Sequence, residues 1–143
     1  MPVKPVAEVA TEFRQRLDLL FAEQRDQLPE IFRGFPDACC EFVSILLADH
    51  LVKCGFESPL LVTAEWHGGK FLLSHVWLEL DDQVIDITGD QAGIDLPPVI
   101  VSATSDWHRD HPAHSKRPYK EVWAECNGWT QGEIDKLYRA LAG

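Results

Sequence analysis

The chain has 143 residues, enough to bury one sizeable core and too few for two independent globular enzymes. Its 45% hydrophobic and 25% charged content excludes a mostly disordered or low-complexity chain. With 13 basic and 23 acidic residues the net charge is −10, a field that repels phosphate backbones and anionic lipids, so neither nucleic acid nor a membrane is an expected partner.

The longest nearly uninterrupted apolar run goes from Phe42 to Ala48, interrupted by Ser44, well short of the about 20 residues that a spanning helix needs. The start of the chain turns acidic at Glu8 and Glu12 before any apolar run of signal-peptide length, which predicts no secretory signal. Cys39, Cys40, Cys54 and Cys126 show no pairing spacing and read as free thiols of a reducing compartment, so a cytoplasmic chain is expected.

In chain order, Val6, Val9, Phe13, Leu17, Leu20 and Phe21 recur at helical steps and predict an amphipathic helix ending near Leu28-Pro29. Asp37 is a good N-cap residue for a second helix with a stripe of Val43, Leu46, Leu47, His50 and Leu51, and the helix should stop near Cys54-Gly55. After Ser58-Pro59 the pattern changes to β-branched and aromatic residues, predicting antiparallel strands over 60–66, 70–80 and 84–88, with turns at His67-Gly68-Gly69 and Asp81-Asp82. A short edge strand is predicted over 96–101, since proline is tolerated at strand starts and edges. Residues 105–118 are polar and read as loop. A short helix over 119–126 and a clearer one over 131–141, with Thr130 and Glu133 in capping-box spacing, complete the chain. Helices, then sheet, then helices predict an α+β fold. The whole chain reads as one domain, with an N-terminal helical segment (1–33), a core (34–104) and a C-terminal loop and helices (105–143).

Three residues make a nucleophilic site conceivable. Cys40 falls in the first turn of the second helix, where free N–H groups and the helix dipole favour a thiolate. His75 lies on a predicted strand, and Asp86 on the next one. If Asp81-Asp82 is a two-residue turn, Trp77 faces Asp86, and His75, Trp77 and Asp86 share one face with the carboxylate one diagonal step from the imidazole. A three-residue loop would send Asp86 to the other face. Cys39 cannot share the orientation of Cys40, because neighbours on a helix point about 100° apart.

The stretch Phe35-Pro36-Asp37-Ala38-Cys39-Cys40-Glu41-Phe42-Val43-Ser44, with Leu47, Leu51 and Gly55 after it, resembles the nucleophile helix of small bacterial transglutaminase-like cysteine peptidases, the group that includes the lasso-peptide leader peptidases. His75-Val76-Trp77-Leu78-Glu79 and Val84-Ile85-Asp86-Ile87-Thr88-Gly89-Asp90-Gln91 resemble that family's His-x-Trp and Asp-x-Thr-x-Asp-Gln blocks, so the resemblance covers about residues 34–91. It implies a papain-like, transglutaminase-like fold with a helix packed on an antiparallel sheet, and a peptidase, amidase or acyltransferase acting on a peptide or protein substrate without cofactor or metal. Cys40 would attack an acyl carbon, His75 would shuttle the proton, and Asp86 would orient His75.

The sequence departs from that pattern at Cys39 and Glu41, since a small residue often follows the nucleophile, and this departure supports an alternative reading as a non-catalytic binding module. Gln91 reads either as an oxyanion donor or as an amide that fixes the loop after the Asp86 strand. His108, His111 and His114 repeat at three-residue steps and could hold zinc, but Pro112 and Pro118 argue for a solvated loop that does not arrange them as ligands. Trp66, Trp77, Trp123 and Trp129 read as core or cleft wall, with Trp77 placed to shield His75 from water.

Overall fold

The computed structural model describes residues 2–142. Its elements are α1 (Val6–Gln24), two 3-10 turns (Arg25–Gln27 and Glu30–Phe32), α2 (Cys40–Lys53), β1 (Leu60–Gly68), β2 (Phe71–Leu80), β3 (Gln83–Asp86), β4 (Ile100–Ser102), α3 (Asp106–Asp110), β5 (Ser115–Pro118), α4 (Tyr119–Glu125) and α5 (Gly128–Ala142). The five strands form one sheet in the order β4-β3-β2-β1-β5, with every neighbouring pair antiparallel. The fold is α+β. Among the described residues no helix is long and apolar enough to cross a membrane.

Alternation along β2 divides the interior in two. Val76, Leu78 and Leu80 join the main core with Phe13, Leu17 and Phe21 of α1 and with α2, whose Val43, Ile45, Leu46, Leu47 and Leu51 are all buried. Each such side chain contributes about 1.5–3 kcal/mol on burial, which makes α2 the central helix despite its poor cap. On the other side of the strand Trp77 packs with Val62 and Ala64, and Trp107 of α3 rests on that cluster.

The β2–β3 hairpin turns on two residues, as the sequence predicts. Asp81 and Asp82 have φ of 51° and 61°, the left-handed pair of a tight hairpin, and the register pairs Leu80 with Gln83, Glu79 with Val84 and Leu78 with Ile85. Helix α2 stops where glycine permits it, with Gly55 at φ 98°.

Three expectations are corrected. Residues 105–118 are not simply loop: they contain α3 and the edge strand β5, which pairs with β1 from Thr63↔Ser115 to Leu60↔Pro118. Its sequence, Ser-Lys-Arg-Pro, has no apolar alternation because backbone pairing and not side-chain burial holds it, and charge with proline suits an edge. Asp37 does not cap α2. Cys39 occupies that position without a side-chain cap, while Asp37 Oδ1 accepts the Ala92 N–H at 2.7 Å, tying the loop before α2 to the loop after β3. Helix α5 begins at Gly128, and Asn127 Oδ1 accepts the Thr130 N–H at 2.8 Å, so the cap is Asn127 and not a Thr130–Glu133 box.

Arg14 of α1 fastens these parts together. It is 6% exposed, its guanidinium meets both Asp90 carboxylate oxygens at 2.7 Å, and Nη1 donates to the Ile87 carbonyl at 2.7 Å. The same guanidinium lies over the Phe35 ring, 4.9 Å from its centroid. A lysine cannot supply this planar fork. Arg14→Lys is therefore expected to cost about 2–3 kcal/mol in urea unfolding, and a midpoint equal to wild type would show that the fork carries no stability.

Candidate active site

His75, in the middle of β2, and Asp86, the last residue of β3, are 0% and 1% exposed. The hairpin register puts them on one face, and His75 Nε2 meets Asp86 Oδ2 at 2.7 Å. Asp86 Oδ1 accepts the Thr88 N–H at 3.0 Å, a local bond of the kind aspartate makes two residues ahead of itself. A second imidazole reaches the same carboxylate oxygen: His108 Nε2 is 2.8 Å from Asp86 Oδ2, and His108 Nδ1 is 2.6 Å from the Ser105 hydroxyl.

The other ring nitrogen of His75 faces Gln91, whose side-chain Nε2 is 2.6 Å from Nδ1. In the neutral ring the amide N–H donates to Nδ1; in the imidazolium the amide must turn its oxygen there. Gln91 is 6% exposed and belongs to the site itself, which goes beyond fixing a loop. A cavity of ≈ 110 Å³ opens beside it, between Trp66, Leu73 and Ile94.

Cys40 is the first residue of α2 and is half-buried. Ala38, at φ 62°, turns the chain into the helix. Among the described residues no group accepts a hydrogen bond from the Cys40, Glu41 or Phe42 N–H, so the positive end of the helix is open. The start of α2 is tied to β2 beside His75, since the Ser44 hydroxyl donates to the Val76 carbonyl at 3.4 Å. Burial by itself pushes His75 toward the neutral ring, but hydrogen bonds and charge from Asp86 and Cys40 outweigh it and raise the pKa to about 9. Asp86 behaves in the complementary way. Burial disfavours its charge, yet the bonds from His108 and His75, the His75 charge and the Thr88 N–H hold it at about 2.

Cys39 lies in different surroundings one residue away. It is 2% exposed within the main core, and burial first, then the neighbouring charges of Cys40 and Asp37, push its thiol up to about 12. Of the two cysteines only Cys40 is partly exposed.

Aromatic rings close the far side. Trp77 and Trp107 lie 5.8 and 5.7 Å from the His75 ring, centroid to centroid, and Trp107 stacks on His111 at 4.0 Å with Trp66 against both. Trp77 thus takes the shielding place expected of it. Trp129, 57% exposed on α5, is no part of the core but lines a surface groove with Leu28, Pro29 and Lys136, apart from this site.

The three loop histidines are not brought together. His108 turns to Asp86, His111 Nδ1 binds the Trp107 carbonyl at 2.7 Å, and His114 stands at the surface 3.9 Å from Glu65. Residues that could hold a metal are a different set, His75, Asp86 and His108, whose ligand atoms lie within 4.8 Å of one another. At 2.7 and 2.8 Å the two imidazoles already satisfy the Asp86 oxygen, so an ion would have to break both bonds. Sequence reading singles out His108 as a zinc-ligand candidate but misses its bond to Asp86, and it misses Ser105 as a part of the site. The one local signal is Ser105 three residues before His108, the spacing of a short helical turn.

Searches of family models, curated proteins and solved structures find no match to the chain.

The two shifted groups predict how stability depends on pH. Asp86 contributes stability that is present above its ordinary 3.8 and lost as pH falls through about 2. His75 contributes stability that is present below its ordinary 6.5 and lost as pH rises through about 9. The urea midpoint is expected to be highest and flat between about pH 5 and 6 and to fall on both sides. Asp86→Asn should flatten both limbs, and an unchanged profile in that variant would place the dependence elsewhere.

Proposed function

We propose that the chain is a cysteine-dependent acyl-transfer enzyme, a peptidase or amidase with a papain-like arrangement of helix and sheet, acting on a peptide or protein amide through Cys40, His75 and Asp86. The observation that carries this reading is the buried His75, bound through Nε2 to Asp86 at 2.7 Å, next to Val76, whose carbonyl accepts the Ser44 hydroxyl one turn after Cys40 in α2 at 3.4 Å. With Nε2–H held by the carboxylate, Nδ1 is the nitrogen left to exchange a proton with Cys40, and the Gln91 amide, 2.6 Å from it, must turn aside for that exchange.

The residues then divide the work in a definite way. Sγ attacks the amide carbon, and the thiol proton resides on His75 Nδ1. The carbonyl oxygen gathers negative charge within reach of the unpaired Cys40 N–H. His75 returns its proton to the leaving amine as the C–N bond breaks. Water, activated by the same imidazole, or an amine then releases the acyl group and restores the thiol. Asp86 keeps the ring in one tautomer and offsets its charge throughout.

Limiting iodoacetamide at neutral pH, followed by mass mapping, tests the nucleophile. Cys40 is expected to label fastest and to slow sharply in His75→Ala, while Cys39 stays nearly unlabelled. Labelling of Cys39 lost with His75 would move the nucleophile by one residue. Equal, slow labelling indifferent to His75 would leave a binding module in place of an enzyme.

Asp86→Asn tests the orienting role. It is expected to cut turnover of an amide or ester substrate by about 10⁴ through the wrong tautomer, and wild-type turnover would remove the triad. A chelator is expected to alter neither activity nor Tm. Stoichiometric zinc in protein purified without a histidine tag, with loss of Tm on chelation, would make the His75–Asp86–His108 trio a metal centre instead.

A further inference from the structure

The three residues of the proposed mechanism leave one buried ionisable side chain beside them without a role. His108 is 5% exposed and comes from α3, on the far side of the sheet from α2. Its Nε2 shares Asp86 Oδ2 with His75, at 2.8 Å against 2.7 Å. We propose that His108 is a positioning residue of this centre, the second imidazole that keeps Asp86 ionised and aimed at His75.

The local structure is arranged for that bond. Ser105 stands at the N-cap position of α3, where serine ordinarily caps the helix, yet it makes no side-chain cap bond. Its hydroxyl lies instead 2.6 Å from His108 Nδ1. A hydroxyl donating to Nδ1 leaves the hydrogen of the neutral ring on Nε2, the nitrogen that faces the carboxylate. Trp77 holds the ring edge-on, its centroid 4.7 Å away, so the imidazole cannot swing out of line. Five atoms thus form one chain, from the Ser105 hydroxyl through both His108 nitrogens and Asp86 Oδ2 to His75 Nε2.

Two donors on one oxygen have a chemical consequence. They spread the charge of Asp86, so that it orients His75 without taking the proton that His75 receives from Cys40. They also block rotation of the carboxylate, with Thr88 fixing its other oxygen. The charged or titratable groups facing Asp86 are His75 from β2 and His108 from α3, with Cys40 of α2 beyond His75. Arg14 of α1 binds the neighbouring Ile87 carbonyl and Asp90 and does not contact Asp86.

This inference rests on the triad reading, and its test separates the two. The rate of Cys40 alkylation by iodoacetamide is measured against pH in wild type, His108→Phe and His108→Gln, with circular dichroism to verify the fold. Phenylalanine keeps the ring and removes the donor; glutamine places an N–H near the former Nε2. In His108→Phe the acid limb is expected to move up by about one pH unit and the neutral rate to fall about tenfold, the size expected of a lost charge-assisted hydrogen bond to a buried carboxylate. His108→Gln should restore most of both.

Wild-type profiles in both variants, with Cys40 still slowed by His75→Ala, would overturn the role of His108 and leave the triad standing. Equal losses in both folded variants would overturn it as well, since the donor would then not matter. Cys40 labelling indifferent to His75→Ala would remove the triad and this inference with it. Should His108→Phe fail to fold, Ser105→Ala carries the test: a smaller shift of the acid limb in the same direction is expected, and an unchanged profile overturns the proposal.

Discussion

Asp86 carries a negative charge at 1% exposure, and taking a carboxylate out of water costs several kcal/mol even after the protein relaxes. Three donors offset that cost, each contributing about 1.5–3 kcal/mol where the acceptor is charged. They come from three parts of the chain: His75 from β2, the Thr88 backbone just beyond β3, and His108 from α3. The requirement to satisfy this oxygen pair explains details that packing alone does not. The hairpin loop must hold an even number of residues, here two, to put Asp86 on the face of His75. The segment after β4 must return across the sheet to bring α3 over that face. Removing one donor would leave a buried charge partly unpaired, so the three elements are coupled through this one carboxylate.

Four residues further on, Asp90 anchors the same loop through a different charge. Arg14 grips Asp90 with both guanidinium arms, holds the Ile87 carbonyl, and lies over Phe35 in the segment leading to Cys40. Asp37 completes the tie by accepting the Ala92 N–H. The two loops that deliver Cys40 and Gln91 are therefore fixed to α1 and to each other, not to the helix that carries the thiol. This has a cost at α2. With Asp37 committed to Ala92, the first-turn N–H groups of that helix have no side-chain cap, a loss of about 1 kcal/mol that burial of its apolar residues outweighs. An uncapped N-terminus is also what leaves the Cys40 N–H free to meet a developing oxyanion.

Much of this was legible in the sequence, and the parts that were not share a physical reason. Strands β1 to β3 announce themselves by alternation, and the hairpin register follows from one acidic dipeptide able to adopt left-handed backbone. The pairing of His75 with Asp86 is then arithmetic. Helix α2 is legible from its stripe, although its start is not, because Asp37 found a partner 55 residues away in preference to its own helix. The pairing of His108 with Asp86 was illegible for the same kind of reason. His108 lies in a polar segment interrupted by Pro112, and its partner is 22 residues back, on a strand that nothing local connects to it. β5 gives no signal at all, since a four-residue edge strand held by backbone pairing to β1 needs no hydrophobic pattern.

The indole of Trp77 shows which demand prevails at this site. Its Nε1–H is buried and has no hydrogen-bond partner among the described residues, an omission that costs about 1–3 kcal/mol in a folded protein. The ring packs against both imidazoles, 5.8 Å from His75 and 4.7 Å from His108, and with Trp107 it covers the face that carries Asp86. Water in that place would compete for the carboxylate and weaken each charged hydrogen bond, because those bonds gain their strength from the low local dielectric. One unsatisfied neutral donor is the smaller loss. The arrangement makes physical sense if the ionised Asp86 with its two imidazoles is the feature to be preserved, and if the indole is there to keep it dry.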